Sequence, residues 1–574
     1  MSRWNVPTLI LTFTLGIAGV FGGCSSDENT VAQNGPGTGG GSSGSGGSAT
    51  EGGLGGASGT GGVPSSYEDF PKDPEVESTL PSDTPSHFSG AGDPTGGPCL
   101  FEPALGALIP KNWSPLRFEW TPGAGQNVFE LRLHVDNQDN DLVVYTSQTS
   151  YTFAKTTWQA LTQHSSGHDI DVTLRGAQID NGNVVSGPAT GAEGKLHIAP
   201  VSAPGSVVYW TSGAPGSGAT ALKGFTIGDT AVSTVLTPAI VGGDTTCVAC
   251  HASAPDGKFT FYVRDGSAGT RSVDVRSVDG QGTAPADTVV SATALSLLGR
   301  TKQSAPVLSP AHYSATDAVA VAVFFDPTLT QNKNELVWTD LHTTDPNAGW
   351  GIFARSGDPG QVASPTFWHD GSTIAYVSAP VTSEGVIARV TDADPHMDIY
   401  TIPFANRQGG TATPLPGASD PAYWEYYPVI SPEDTLLAFN RAAPYQDANG
   451  WADSYNEPGG EVFVVPSGGG TATRLSANDP PACTGKTSPG LTNSWPRWAP
   501  TAETFEGKTY YWVVFSSTRR DASNPQLFVS AVVTSESGGS VTVDETYPAL
   551  YVTAQVPEEN NHTPAWDFFQ VVPQ

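Results

Sequence analysis

The sequence predicts an all-β chain, a β-sandwich followed by a six-bladed β-propeller. Three observations carry that expectation. Short runs of alternating apolar and polar residues, broken by turn residues, fill residues 99–203. From residue 204 to 574 a strand, turn, strand unit recurs six times. No stretch of helical periodicity separates the copies.

Residues 1–23 place Arg3 before the apolar run "VPTLILTFTLGIAGVF", the layout of an export signal, too short and too early for a membrane span. Residues 24–66, Gly- and Ser-rich, have nothing to bury and form a flexible tether spanning on the order of 30–40 Å. Residues 67–98 are expected to be an extended linker. The 574 residues exceed one ordinary core, and 38% hydrophobic content suffices for more than one. With 56 acidic against 26 basic residues the net charge is −30, which repels phosphate backbones and excludes nucleic acid as a partner.

"FGGC", ending at Cys24, resembles the lipobox of bacterial lipoproteins. The resemblance implies lipidation of Cys24 and, through Ser25, delivery to the outer membrane or cell surface, with the lipid as the sole membrane contact. Export also permits disulfides.

The runs "LRFEWT", "VFELRLHV", "LVVYTS", "SYTF", "IDVTLRGAQI" and "GKLHIA" give the strands of the sandwich. Phe118, Trp120, Phe129, Leu131, Tyr151 and Trp158 are its expected core, and the set resembles fibronectin type III and immunoglobulin-like modules.

The repeat is anchored at "HASAPDGKFTFYV" from His251, "PVLSPAHYSATDAVAVAVFF" from Pro306, "PTFWHDGSTIAYVS" from Pro365, "PVISPEDTLLAFNRA" from Pro428, "PRWAPTAETFEGKTYYWVVFSS" from Pro496 and "PAWDFFQVV" from Pro564. The anchors are 55, 59, 63, 68 and 68 residues apart. Further strand pairs lie between them, so each unit supplies about four strands. The units resemble the blades of TolB-type propellers, cousins of the WD-repeat family, which implies a closed ring without exposed edges. The last anchor has room for only two strands, and residues 206–228 are expected to complete its blade.

"TTCVACH" places Cys247, Cys250 and His251 in a Cys-x-x-Cys-His pattern, which resembles the attachment signature of c-type cytochromes. That resemblance implies haem c held through Cys247 and Cys250, with His251 as axial ligand. His251 stands in the proline column of the repeat, just before the innermost strand, so the motif is expected at one mouth of the channel. His562, two residues before Pro564, is the expected second iron ligand, with Met397 as its rival. A Cys247–Cys250 disulfide and a zinc site are the competing readings, zinc lacking a fourth local ligand. Cys99 and Cys483 are candidates for a disulfide between sandwich and fifth blade.

No catalytic motif accompanies these residues. The Gly-x-Ser-x-Gly at 40–44 lies in the tether, without the strand and helix of a nucleophile elbow. The acidic clusters "TDADPHMD" and "QDNDL" lack EF-hand spacing. Trp350, Trp424, Trp451 and Trp495 would suit a sugar-binding rim, or else blade packing. The sequence therefore leads to a lipid-anchored binding protein using haem for electron transfer with envelope redox partners. Its alternatives are a haem-free scaffold for envelope proteins and a carbohydrate-binding protein.

Overall fold

The computed structural model of the chain describes residues 66–213, 219–267, 269–301, 305–324, 334–380, 382–383, 386–387, 396–445 and 457–572. The signal segment, Cys24 and the tether lie outside them, as does Trp451. No helix among the described residues is long and apolar enough to cross a membrane.

Strands dominate, as the alternation predicts. A six-stranded sheet runs in the order Glu75–Val76, Leu142–Thr146, Val128–His134, Asp169–Asp180, Asn183–Ile198, Leu108–Ile109. Cys99–Glu102, Arg117–Thr121 and Ser150–Thr152 form a three-stranded sheet. In "RFEWT" the period of two buries Phe118 and Trp120 and leaves Arg117 and Glu119 partly exposed. Both join Phe129, Leu131 and Trp158 in one core, with Tyr151 packed at its margin. Trp158 arrives on the helix Lys155–His164, and its indole Nε1 donates to the carbonyl of Trp113 at 2.9 Å. Residues 67–98, expected as a bare linker, are packed instead. Glu75–Val76 pairs in parallel with Leu142–Thr146, and Phe70 and Phe88 are buried. Two large aromatics in that stretch outweigh its proline content, because each removes a large apolar surface from water.

Beyond residue 204 the sheets follow the repeat. Their first strands are β1 (Ser206–Thr211), β2 (Thr245–Ser253), β3 (Val307–Tyr313), β4 (Gln361–Phe367), β5 (Trp424–Ile430), β6 (Asn493–Trp498) and β7 (Asn561–Asp567). Each of β2 to β6 is followed by an antiparallel partner and then by outer strands. The second strands, such as Ala318–Phe324 with the run "AVAVAVF", are apolar without alternation because both faces are covered. One face of that strand packs toward Phe261 and Val273 of the preceding sheet, the other toward Ile374 and Tyr376 of the next. β2 lies beside β3, β3 beside β4, and so on to β6 beside β7, while β7 lies beside β2. The first strands thus close a cycle.

The closing sheet differs in detail from expectation. Its order is Ser233–Leu236, Ala221–Thr226, β1, β7, so the last anchor supplies one strand and the segment before the first anchor supplies three. The turn "PDG" of β2 shows how tightly this seam fits. Gly257 sits at φ +67, and a Cβ there would meet the carbonyl oxygen of Phe568 at 1.9 Å. The amide of Gln570 donates to the Gly257 carbonyl at 3.0 Å.

The sandwich and the last two sheets share one continuous core, which includes Leu100, Trp512, Tyr209 and Trp566. Polar ties reinforce it. The Trp512 indole donates to the carbonyl of Ser202 at 3.1 Å, and Arg520 pairs with Glu119 at 2.7 Å. Cys99 and Cys483 form a disulfide across 384 residues. Cross-linking removes disorder from the unfolded chain, but shared packing already orders this contact in the folded state. The double variant Cys99→Ser/Cys483→Ser is expected to lose about 2–4 kcal/mol, seen as a lower urea midpoint, with a steeper slope as the unfolded chain expands. An unchanged midpoint would show that the shared core alone fixes the two parts.

Candidate functional site: the central cavity

The first strands surround one cavity of about 440 Å³, to which all of β2 to β7 or their immediate ends contribute. A volume of that size suits a small molecule or a few residues of a peptide.

The strands are built alike where they meet it. Cys250, Ser364, Tyr427, Trp495 and Thr563 have φ values of +35°, +45°, +49°, +59° and +45°. Each directly precedes the proline column, which His251 fills in β2. The pairing register slips at the same place in β2, β4, β5 and β6, and where β7 meets β1. These are β-bulges, in which the extra residue turns its side chain away from the normal pleat. A proline there has no N–H to forfeit, so the broken ladder bond costs less. The column expected just ahead of the innermost strand therefore lies inside it for five of the six anchors, as the strand bounds show. A left-handed non-glycine residue costs roughly 1–3 kcal/mol, and such strain persists only where packing imposes it. Four of the bulged residues, Cys250, Ser364, Tyr427 and Trp495, line the cavity.

The Cys-x-x-Cys-His motif is split by its bulge. Cys250 and His251 are on the cavity wall, whereas Cys247 is buried away from it, opposite Asp265. Cys247 and Cys250 are not bonded to each other, which removes the disulfide reading of that pair. The His251 ring donates from Nε2 to the carbonyl of Val208 at 2.9 Å, and its Nδ1 is buried without a hydrogen-bond partner among the described residues. Burial, aided by the charge of Arg497, lowers the His251 pKa to about 4. The imidazole is thus neutral at physiological pH and tied to the backbone.

His562 is placed elsewhere. It packs edge-on against Trp210, with ring centroids 4.3 Å apart, beside a niche of about 10 Å³ formed with Thr492, Ser494 and Ser516. Burial lowers its pKa to about 3. Met397 is wholly buried in a core with Trp424 and Tyr426. Neither lines the cavity with His251. A covalent haem needs both thioether sulfurs beside an axial imidazole with a nitrogen lone pair for iron. This strand sets one sulfur, that of Cys250, beside His251, and neither His562 nor Met397 shares their wall, so the arrangement does not fit the expected bis-histidine haem c. No cluster of three or more His, Cys, Asp or Glu side chains suited to a metal occurs among the described residues. The other tryptophans do not form a rim. Trp424 is buried, and Trp350 lies under the guanidinium of Arg300 at 4.5 Å.

Two polar groups of the cavity escaped the motif search. Arg497 stands directly after the proline of β6, its guanidinium 5.0 Å from the Trp495 ring centroid and bonded to the Pro496 carbonyl at 2.8 Å. Tyr427 stacks at a tilt on Trp495, 4.4 Å away. Asp567 accepts from the Ser253 hydroxyl and, at 2.7 Å, from the Phe568 amide, and burial raises its pKa. The signal for Arg497 was present in the alignment, as a lone charge in an uncharged column.

No family model matches the chain, and no curated protein matches it. Among solved structures it is similar to TolB from Acinetobacter baumannii, with 12% identity over 70% of this chain and 79% of that one, at a TM-score of 0.34. It is also similar to a putative 6-phosphogluconolactonase from Bacteroides uniformis, with 13% identity over 74% of this chain and 97% of that one, at a TM-score of 0.29. Superpositions this loose carry no functional argument.

Proposed function

We propose that the chain is an envelope binding protein, anchored through Cys24, whose six sheets form a six-bladed β-propeller that takes its ligand in the central cavity. In this reading the ring runs from about residue 204 onward and the sandwich buttresses its closing sheets. The observation that carries this reading is the convergence of β2 to β7 on one cavity of about 440 Å³. Four strained bulged residues, Cys250, Ser364, Tyr427 and Trp495, line it, and strain of this kind is characteristic of ligand clamps. The function is that of a haem-free interaction scaffold; electron transfer through His251 and His562 has no geometric support.

The test is site-specific photo-cross-linking in intact envelopes. Phe568, exposed and on the cavity rim, and Phe505, exposed on the Glu503–Phe505 strand, are each replaced by a photoreactive phenylalanine analogue. A discrete adduct from position 568 and none from 505 is expected. Absence of any adduct from 568 would overturn the assignment. A pyridine-haemochrome spectrum of the same preparation is expected to show no haem band, and a band would restore the cytochrome reading.

A further inference from the structure

We propose that the central cavity is a carboxylate-binding site whose anion contact is Arg497, an inference that rests on the cavity being the place of ligand binding. The residues after the proline column are Ala252, Val307, Thr366, Val429, Arg497 and Ala565. Five are small or aliphatic and uncharged, and the sixth is a guanidinium. Five of the six strands share the same bulge, and the ring is completed at the other five positions without a charge.

Ion pairing gives no reason for that charge. Most other arginines are matched to carboxylates, such as Arg355 with Glu335 and Asp358, and Arg441 with Glu425, while Arg300 lies over the rings of Phe324 and Trp350. Arg519, buried and outside any ion pair among the described residues, gives its N–H groups to Ala477, Asn493 and Ser517. Arg497 has one protein acceptor, the Pro496 carbonyl, and no carboxylate within ion-pair distance among the described residues. This is notable in a chain with 56 acidic and 26 basic residues, where a neutralising partner is easily supplied. A guanidinium has five N–H donors, so one carbonyl leaves most of its capacity unused, and Arg497 lines the cavity. Burial lowers its pKa to about 10, which leaves it charged at neutral pH. A cation held in protein without a counter-ion is costly, and an anion accepting paired N–H bonds offsets that cost.

The surroundings select among anions. His251, close enough for the charge of Arg497 to depress its pKa, is neutral, and the other lining histidine, His369, is turned to Asp434 at 2.9 Å, so neither is a free second cation for a dianion. Asp567 also lines the cavity, and its carboxyl group offers a second negative charge no partner there. Trp495, Tyr427, Leu308 and Ile430 supply an apolar lining. A single carboxylate on an otherwise neutral, partly apolar body matches this set, whether a small organic acid or the C-terminus of a peptide.

The test is calorimetric titration of the full chain with hexanoate, hexanamide, inorganic phosphate, and N-acetylated tetra-alanine as the free acid and as the amide. At least one of the two acids is expected to bind tenfold or more tightly than its amide, and the pair that does so identifies the source. In Arg497→Gln that preference is expected to vanish, while the amides bind as before. Equal binding of acids and amides, a preference that survives Arg497→Gln, or phosphate binding more tightly than both acids would each overturn the carboxylate assignment. The urea midpoint of Arg497→Gln is expected to equal or exceed that of the parent, since an unpaired cation is removed; a lower midpoint would make Arg497 a structural residue and likewise overturn it. An adduct at position 568 together with no acid preference defeats only this inference, whereas no adduct and no binding of any probe defeats the cavity reading itself.

Discussion

Trp566→Ala is expected to destabilise the folded chain by about 3–5 kcal/mol, the range for deleting a buried large aromatic side chain. Trp566 is 6% exposed, on the strand that closes the ring. Its indole donates to the Pro204 carbonyl at 2.7 Å, and its ring belongs to the core shared by the sandwich, β1 and the sheet that β6 begins. Removing it leaves a cavity and an unpaired carbonyl at the one seam where the two ends of the repeat region meet. Phe568, two residues on and 51% exposed, is the matched control, and its alanine variant is expected to stay within about 0.5 kcal/mol of the parent. Urea midpoints of the three proteins measure both effects. Equal losses at both positions would mean that the seam is not packed as described.

The second large effect is electrostatic. Glu102 is 5% exposed where the sandwich meets the last sheets, and its Oε1 accepts from the Tyr551 amide at 3.0 Å. Burial raises its pKa from 4.5 to about 8, against the opposing pull of Arg520. The folded state therefore holds this proton more tightly than the unfolded state does. Between pH 4.5 and 8 the unfolded chain has lost the proton while the folded chain retains it, so stability falls as pH rises through that window. At about 1.4 kcal/mol per pH unit the loss is on the order of 4 kcal/mol. Glu425, raised by burial to about 7, adds a slope of the same sign, and the lowered His251 and His562 add one of opposite sign below their ordinary range. Glu102→Gln keeps the acceptor for Tyr551 and removes only the Glu102 part. The variant is expected to gain about 2–4 kcal/mol over the parent at pH 8 and nothing at pH 4.5. A stability difference that is the same at both pH values would refute the buried acid.

The repeat was legible because its signal is periodic. Alternating strands, "PDG"-type turns and proline anchors recur, and each copy corroborates the next. The bulges were not legible, because a proline in a strand pattern reads as a boundary, whereas here its missing N–H is absorbed at the bulge. That misplacement carried His251 to the edge of the strand and made the Cys-x-x-Cys-His motif look like a contiguous surface. Once Cys250 takes its left-handed conformation, Cys247 and His251 belong to different environments. His562 was set beside His251 on the strength of neighbouring blades, but the register of β7 on β1 pairs it with Trp210. The packing of Phe70 and Phe88 depends on contacts far along the chain, which no local pattern encodes. The disulfide of Cys99 and Cys483 was foreseeable from compartment and position only as a candidate.

Native-state hydrogen exchange of β1 and β7 tests the closed ring around the cavity most directly. If the two ends of the repeat region share one sheet, their paired amides, including those at Val207, Val208 and Trp566, exchange as slowly as the amides of Ala318–Phe324. Fast exchange throughout β7, with the Ala318–Phe324 strand still protected, would mean an open ring and would remove the cavity on which the functional assignment stands.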